Sequence, residues 1–164
     1  MDLTAGPKTT DEWGSPQTIV DLCALRYGPF DMDAAADADN AKAPIWITRL
    51  DDGLQVPWQG RVWLNPPWCR TKGLSIVPWI DRAIEQAQSP AVSLVCLLVP
   101  ASSSTRWWHK LATHATLIRL IKGRQKYGDG GSAKFPSCVV ILTAAGGPAR
   151  IETWDPKAEI QGAK

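Results

Sequence analysis

The chain has 164 residues, 18 basic against 16 acidic side chains for a formal net charge of +2, and 45% hydrophobic residues. That length suffices for one domain with a real core and not for two of ordinary size, so residues 1–164 are expected to form a single domain. The small net charge is no electrostatic footprint for nucleic acid, so any such partner has to be argued from local clusters. No stretch approaches the roughly 18 consecutive apolar residues of a membrane span, and the polar start Met1-Asp2-Leu3-Thr4 has no signal-peptide character, so a soluble cytoplasmic protein is expected.

Residues 1–14 carry no periodicity and read as an N-terminal arm. Ser15-Pro16 is the pattern of an N-cap followed by proline at the first helical position, and Ile19, Val20, Cys23, Ala24 and Tyr27 recur at helical spacing until Gly28, predicting a helix over 16–27. Phe30 to Ala34 and Pro44 to Thr48 are short strand candidates. After the turn signal Asp51-Asp52-Gly53, Arg61 to Asn65 makes a third strand, ended by Pro66-Pro67, which cannot continue a ladder. Pro78 to Gln88 predicts a helix with Trp79, Ile80, Ala83, Ile84 and Ala87 on one face. The almost continuously apolar run Ser93 to Val99 is that of a strand buried on both sides of a parallel sheet. A helix over 104–114, strands over 116–121, 138–143 and 150–154, and a polar tail over 155–164 complete the reading. Strands alternating with helices imply a three-layer α/β fold with a mainly parallel sheet.

Cys23, Cys69, Cys96 and Cys138 include no C-x-x-C pair, and the two histidines, His109 and His114, do not share a helical face, so no metal site is expected. Cys23, Cys96 and Cys138 lie in apolar runs and read as core residues in a reducing compartment, while the histidines suit surface or capping roles.

In open α/β sheets ligands bind beyond the carboxyl ends of the strands, which gives Asn65-Pro66-Pro67-Trp68 its weight. The Asn65 side chain supplies an acceptor oxygen, and the prolines fix the backbone so that the Pro66 carbonyl can point the same way without a competing N–H. Two acceptors then converge on one small donor. The amine of a nucleobase is a poor nucleophile because its lone pair is delocalised into the ring. Accepting both of its hydrogens draws it toward tetrahedral geometry and frees the lone pair for in-line attack on a methyl group. Trp68 offers a face on which a flipped base can stack.

The motif resembles the (Asp/Asn)-Pro-Pro-aromatic motif of S-adenosylmethionine-dependent amino-methyltransferases, and the chain resembles more specifically the phage-type, Dam-like DNA N6-adenine methyltransferase family. The supporting stretches, in the family's order over residues 11 to about 143, begin with Asp11-Glu12-Trp13-Gly14-Ser15-Pro16, Phe30-Asp31-Met32-Asp33-Ala34-Ala35, Asn40-Ala41-Lys42 and Asp51-Asp52-Gly53-Leu54. They continue through Arg61 to Trp68, Thr105-Arg106-Trp107-Trp108-His109 and Ile121-Lys122-Gly123-Arg124. The resemblance implies a Rossmann-like class I methyltransferase sheet with one antiparallel strand near its C-terminal end, and S-adenosylmethionine held beside the proline motif. Thr10 to Pro16, including Trp13 and Ser15, match the lead-in motif that approaches the methionine part of the cofactor. Asp33 matches the acidic residue beside its amino group, and Asp51 and Asp52 are both candidates for its ribose hydroxyls or adenine amine. One departure stands out: the G-x-G-x-x-G turn is absent, Ala34-Ala35-Ala36-Asp37 taking its place, which argues against a nicotinamide or flavin cofactor. Asp31, Asp37 and Asp39 read as exposed turn carboxylates.

Lys122, Arg124 and Lys126 share one side of an extended segment, followed by the glycine-rich 128–132 and by Lys134, and this segment could close on a phosphate backbone. Arg106 either reaches the substrate or only covers the sheet. Of Trp107 and Trp108, one is expected in the core and the other partly exposed. The expected activity is adenine-specific methylation of double-stranded DNA with the target adenine flipped out, in a bacterial or phage-infected cell, where the family suggests protection against restriction. Without room for a separate recognition domain, the sequence preference should be short or relaxed. The alternatives are an amine on RNA or on a protein glutamine, and a non-catalytic nucleic-acid-binding protein on a degenerate methyltransferase fold. The tryptophans support a site-weighted composition. Trp58, Trp63, Trp68 and Trp79 bracket the proline motif, Trp107 and Trp108 follow the next strand, and Trp46 and Trp154 are left for packing.

Overall fold

The structure is a computed structural model that describes residues 14–67, 75–127 and 132–162. The elements follow in the order α1 (Gln17–Tyr27), β1 (Met32–Asp33), β2 (Ile45–Trp46), β3 (Gly60–Leu64), α2 (Ile76–Ala87), β4 (Val92–Pro100), α3 (Arg106–His114), β5 (Leu117–Ile121), β6 (Ser137–Leu142), β7 (Arg150–Trp154) and α4 (Pro156–Gly162). The seven strands form one sheet in the order β2-β1-β3-β4-β6-β5-β7. β2, β1, β3 and β4 pair in parallel, β5 pairs in parallel with β7, and β6 runs antiparallel to both β4 and β5. The expected α/β architecture, mainly parallel with one reversed strand, is the one observed.

Strand alternation divides the core into two layers. Val62, Leu64, Val95, Leu97, Val99, Ile118, Val140 and Leu142 face α2 and α3 and pack with Ile80, Ala83 and Leu111. The intervening Trp63, Cys96, Leu98, Leu117, Ile121, Val139 and Ile141 face the other way and pack with Ile19, Val20 and Cys23 of α1. A strand flanked by helices on both faces must be apolar at every position, which is why β4 is buried without interruption from Val95 to Pro100. Cys23, Cys96 and Cys138 are buried free thiols, as their apolar surroundings predict.

Several boundaries differ from expectation. α1 starts one residue late: Pro16 sits at the N-cap position and no side chain caps the helix. The Ser15 hydroxyl is instead taken by the buried indole of Trp63, whose Nε1 donates to Ser15 Oγ at 2.9 Å. α2 begins at Ile76, with the Ser75 side chain accepting from Val77 N, and Pro78 falls inside the first turn, where its missing N–H costs no helical bond. β1 and β2 are two residues each, although main-chain bonds from Asp31 N to Arg61 O and from Ala34 N to Trp63 O continue the pairing on either side of β1.

The C-terminal segment 155–164 is not merely a polar tail, because α4 occupies Pro156–Gly162. Its anchor is Trp154, buried under the guanidinium of Arg119 at 4.1 Å from ring centroid to Cζ, with its Nε1 donating to Glu159. Arg119 is itself buried and lies within ion-pair distance of Glu152, at 3.5 Å, and Glu159, at 3.6 Å. Trp154→Ala removes the ring, the cation–π contact and the tether of α4, and should lower stability by about 3–5 kcal/mol in urea unfolding. An unshifted urea midpoint would contradict this account of α4.

Candidate functional site at the carboxyl edge of the sheet

Parallel register sets the site. Asp33 lies opposite Trp63, and Leu64 lies opposite Leu97, so the ends of β1, β3 and β4 open on one edge, with Asn65, Pro66 and Pro67 leaving β3 between the other two. Pro66 is buried, and Asn65 and Pro67 are half-buried. Trp68 falls outside the described residues, as do Thr10 and Trp13.

Asp33 is 3% exposed, and its carboxylate organises the loop after β1: Oδ2 accepts from Lys42 N at 3.0 Å and Oδ1 from Ala35 N at 3.3 Å. Burial pushes its carboxyl up to about 6, against the opposing pull of the Lys42 and Ala35 N–H groups. A carboxyl whose folded-state value lies above its ordinary one contributes its stability in full below about 3.8 and loses it as pH rises through about 6.

The loop after β2 reaches the same edge. Asp51 Oδ2 accepts from Thr48 Oγ1 at 2.6 Å and Thr48 N at 3.2 Å, and the Thr48 hydroxyl and N–H hold this exposed carboxyl below its usual range. Asp52 turns the chain at φ +58°, and its Oδ1 accepts from Leu54 N at 3.1 Å. Gly53 then passes so close to β1 that a Cβ would stand 2.3 Å from the Ala34 carbonyl oxygen, and only glycine fits. Trp58 fixes this approach: its Nε1 donates to Gly53 O at 2.9 Å, while its N–H donates to Gln86 Oε1 of α2 at 2.8 Å.

The aromatic residues are less concentrated at the site than their sequence positions imply. Trp58 and Trp63 are fully buried core residues, Trp46 is 40% exposed on edge strand β2, and Trp154 packs as expected. Trp107 and Trp108 are both half-buried, edge to face with centroids 6.1 Å apart, rather than one inside and one outside. The signal that β3 is covered on both faces was its unbroken Val62-Trp63-Leu64, which leaves no open side on which Trp63 could line a pocket. Asp31 is not a free turn carboxylate either: its Oδ2 accepts from Arg61 N at 2.8 Å and ties the start of β3 to β1.

The basic segment leaves β5 at the same edge but is not extended. β5 ends at Ile121, and Gly123 takes φ +81°, so Lys122, Arg124 and Lys126 do not form one stripe. Lys122 Nζ donates to Asp155 Oδ2 at 2.8 Å, which raises the lysine and lowers the carboxyl. Arg124 is exposed, and Lys126 bridges in antiparallel fashion to Ser132. Next to it the buried Tyr127 shares a hydroxyl–hydroxyl bond of 2.9 Å with Ser137 of β6. Arg106 is exposed at the first turn of α3, just beyond β4, and the Thr105 side chain caps that helix by accepting from Trp108 N. His109 Nε2 lies 2.8 Å from Ser103 O in the loop ahead of α3, and His114 Nδ1 lies 2.8 Å from Lys110 O in the last turn of α3, a surface role and a capping role respectively.

The sequence model of the DNA N-6-adenine-methyltransferase (Dam) family matches residues 4–141. The chain belongs to this family. Among proteins similar to this Dam-family chain, the DNA N-6-adenine-methyltransferase of Escherichia phage T1 is 31% identical over 111 residues, 66% of this chain and 43% of that protein. The enzyme of the same name from Haemophilus phage HP1 is 30% identical over 110 residues, 66% of this chain and 60% of that protein. The matched part of the Dam-family chain thus spans about half the length of these relatives. A Pyrococcus horikoshii crystal structure described as an RNA methyltransferase shares the fold, with a TM-score of 0.53 over 85% of this chain and 88% of its own at 13% identity. Among the described residues no helix is long and apolar enough to cross a membrane.

The Asp33 carboxyl should titrate with a midpoint near 6 when followed by carboxyl-carbon NMR. A midpoint at the ordinary value of 3.8 would show a hydrated carboxylate in place of the buried one described.

Proposed function

We propose that the protein transfers a methyl group from S-adenosylmethionine to the N6 amine of adenine in double-stranded DNA. The observation that carries this is the convergence of Asn65-Pro66-Pro67 and the buried Asp33 at adjoining strand ends, in a chain of the Dam family. The methyl donor fits the residues present: Asp33 engages two N–H groups and, as a carboxylate with about four lone-pair sites, keeps acceptor capacity for an ammonium. Asp51 and Asp52, on the loop held by Trp58, are the carboxylates to meet ribose hydroxyls or the adenine amine of the donor.

When bound, the donor supplies a methyl group on a sulfonium, which departs as a neutral thioether. The Asn65 side-chain oxygen and the Pro66 carbonyl accept the two amine hydrogens and orient the nitrogen lone pair in line. Asn65 cannot take a proton, so the proton released by the methylated amine goes to solvent. Trp68 stacks on the extruded base, an interaction worth about 1–3 kcal/mol. Arg106, Lys122, Arg124 and Lys126 lie past the strand ends to receive the phosphate backbone.

Asn65→Ala should lower labelled-methyl transfer to DNA by a factor on the order of 10²–10³ while S-adenosylmethionine binding, followed by calorimetry, is retained. Transfer at the wild-type rate would refute the assignment, and parallel reactions with RNA and with a glutamine-containing peptide identify the amine. Arg124→Ala should reduce the slope of log affinity for DNA against log salt by about 1. Lys122→Ala should reduce it less, because Asp155 already neutralises that ammonium. An unchanged slope for Arg124→Ala would remove this segment from the interface.

A further inference from the structure

Trp63 lies in β3 two residues before Asn65 and is 0% exposed, and it touches both the end of β1 and the segment ahead of α1. Its carbonyl accepts from Ala34 N at 3.0 Å, which holds the end of β1 beside it. Its ring packs on Phe30, with centroids 5.3 Å apart, and its Nε1 donates to Ser15 Oγ at 2.9 Å. A second connection closes the circuit: Lys42 Nζ donates to Gln17 Oε1 at 2.9 Å, and Lys42 N donates to Asp33 Oδ2 at 3.0 Å. The start of α1 and the residue pair ahead of it are therefore tied down by an exposed lysine contact at Gln17 and by an indole N–H, without access to water, at Ser15. A buried indole N–H requires an acceptor, and Ser15 supplies it.

We propose that Trp63 is a positioning residue that fixes the Ser15–Gln17 segment against the ends of β1 and β3, and thereby sets the affinity for the methyl donor. The proposal rests on the reading that the donor binds at this edge. Trp63 acts through Ser15 and through the end of β1 and touches neither reactant. It makes the geometry of the proline motif and that of the donor-side segment depend on one side chain, so a change at Trp63 is felt at both.

The test is a double-mutant cycle of Trp63→Phe, which keeps the ring and deletes the N–H, with Ser15→Ala, and with Ser15→Thr as the variant that restores the acceptor. Each of the first two should weaken S-adenosylmethionine binding in calorimetry by about tenfold and speed amide exchange across residues 15–19. The double variant should be no weaker than the worse single, and Ser15→Thr should stay close to wild type in both measurements. The far-UV circular dichroism spectrum and the urea midpoint should stay close to wild type in all variants, which a general loss of folding would not allow. Two independent, multiplying losses would overturn the proposal, as would Ser15→Ala with unchanged exchange and unchanged donor affinity. A wild-type protein that binds no S-adenosylmethionine would refute the proposed function and the affinity claim together, while amide exchange in Trp63→Phe still decides whether the indole holds the segment.

Discussion

The parallel pairing of β1 with β3, Asp33 opposite Trp63, is the constraint on which the remaining geometry depends. β1 is only two residues long and would not persist by itself. It is stabilised by main-chain bonds to β3 on one side and β2 on the other, and by the burial of Met32. Because the pairing is parallel, both strands deliver their following loops to the same edge, and a carboxylate and a proline motif 32 positions apart in sequence become neighbours. An antiparallel arrangement of the same two strands would place them at opposite ends of the sheet.

Two charged groups inside the fold illustrate different solutions to desolvation. Arg119 is surrounded by Glu152, Glu159 and the face of the buried Trp154, and the two carboxylates that balance its charge reach solvent themselves. Asp33 instead accepts from the backbone N–H groups of Lys42 and Ala35, with the Lys42 charge as a smaller influence, and burial outweighs both and raises its pKa. The first group reinforces the far end of the sheet. The second lies at the edge shared with the proline motif, and buried carboxyls with raised values are found more often at sites than in scaffolds.

Elements with strong periodicity were legible in the sequence: β4 as an apolar run, α2 as an amphipathic face, and β7 with the boundaries observed. The proline motif marked the end of β3 because two consecutive prolines cannot extend a ladder. What could not be read depended on tertiary partners. Ser15 looks like a helix cap until Trp63 is known to need its hydroxyl, and the place of Trp63 beside the proline motif in sequence does not tell that its indole is buried on the α1 face of the sheet. The alternating Lys122, Arg124 and Lys126 suggested an extended stripe, which the left-handed turn at Gly123 and the pairing of Lys122 with Asp155 break up. The helix after Trp154 escaped notice because its docking relies on Glu159 meeting an indole rather than on an apolar face.

The reversed direction of β6 has a consequence for how such a protein can change. β5 ends and β6 begins at the edge that holds Asn65, so the connection between Ile121 and Ser137 must depart from and return to that edge. The Tyr127 to Ser137 bond closes this excursion at its base, next to the bridge between Lys126 and Ser132. Residues added beyond that closure would leave every strand register unaltered. Strand register is thus set independently of the length of this connection, and loops of this kind tolerate insertion better than the strands they join.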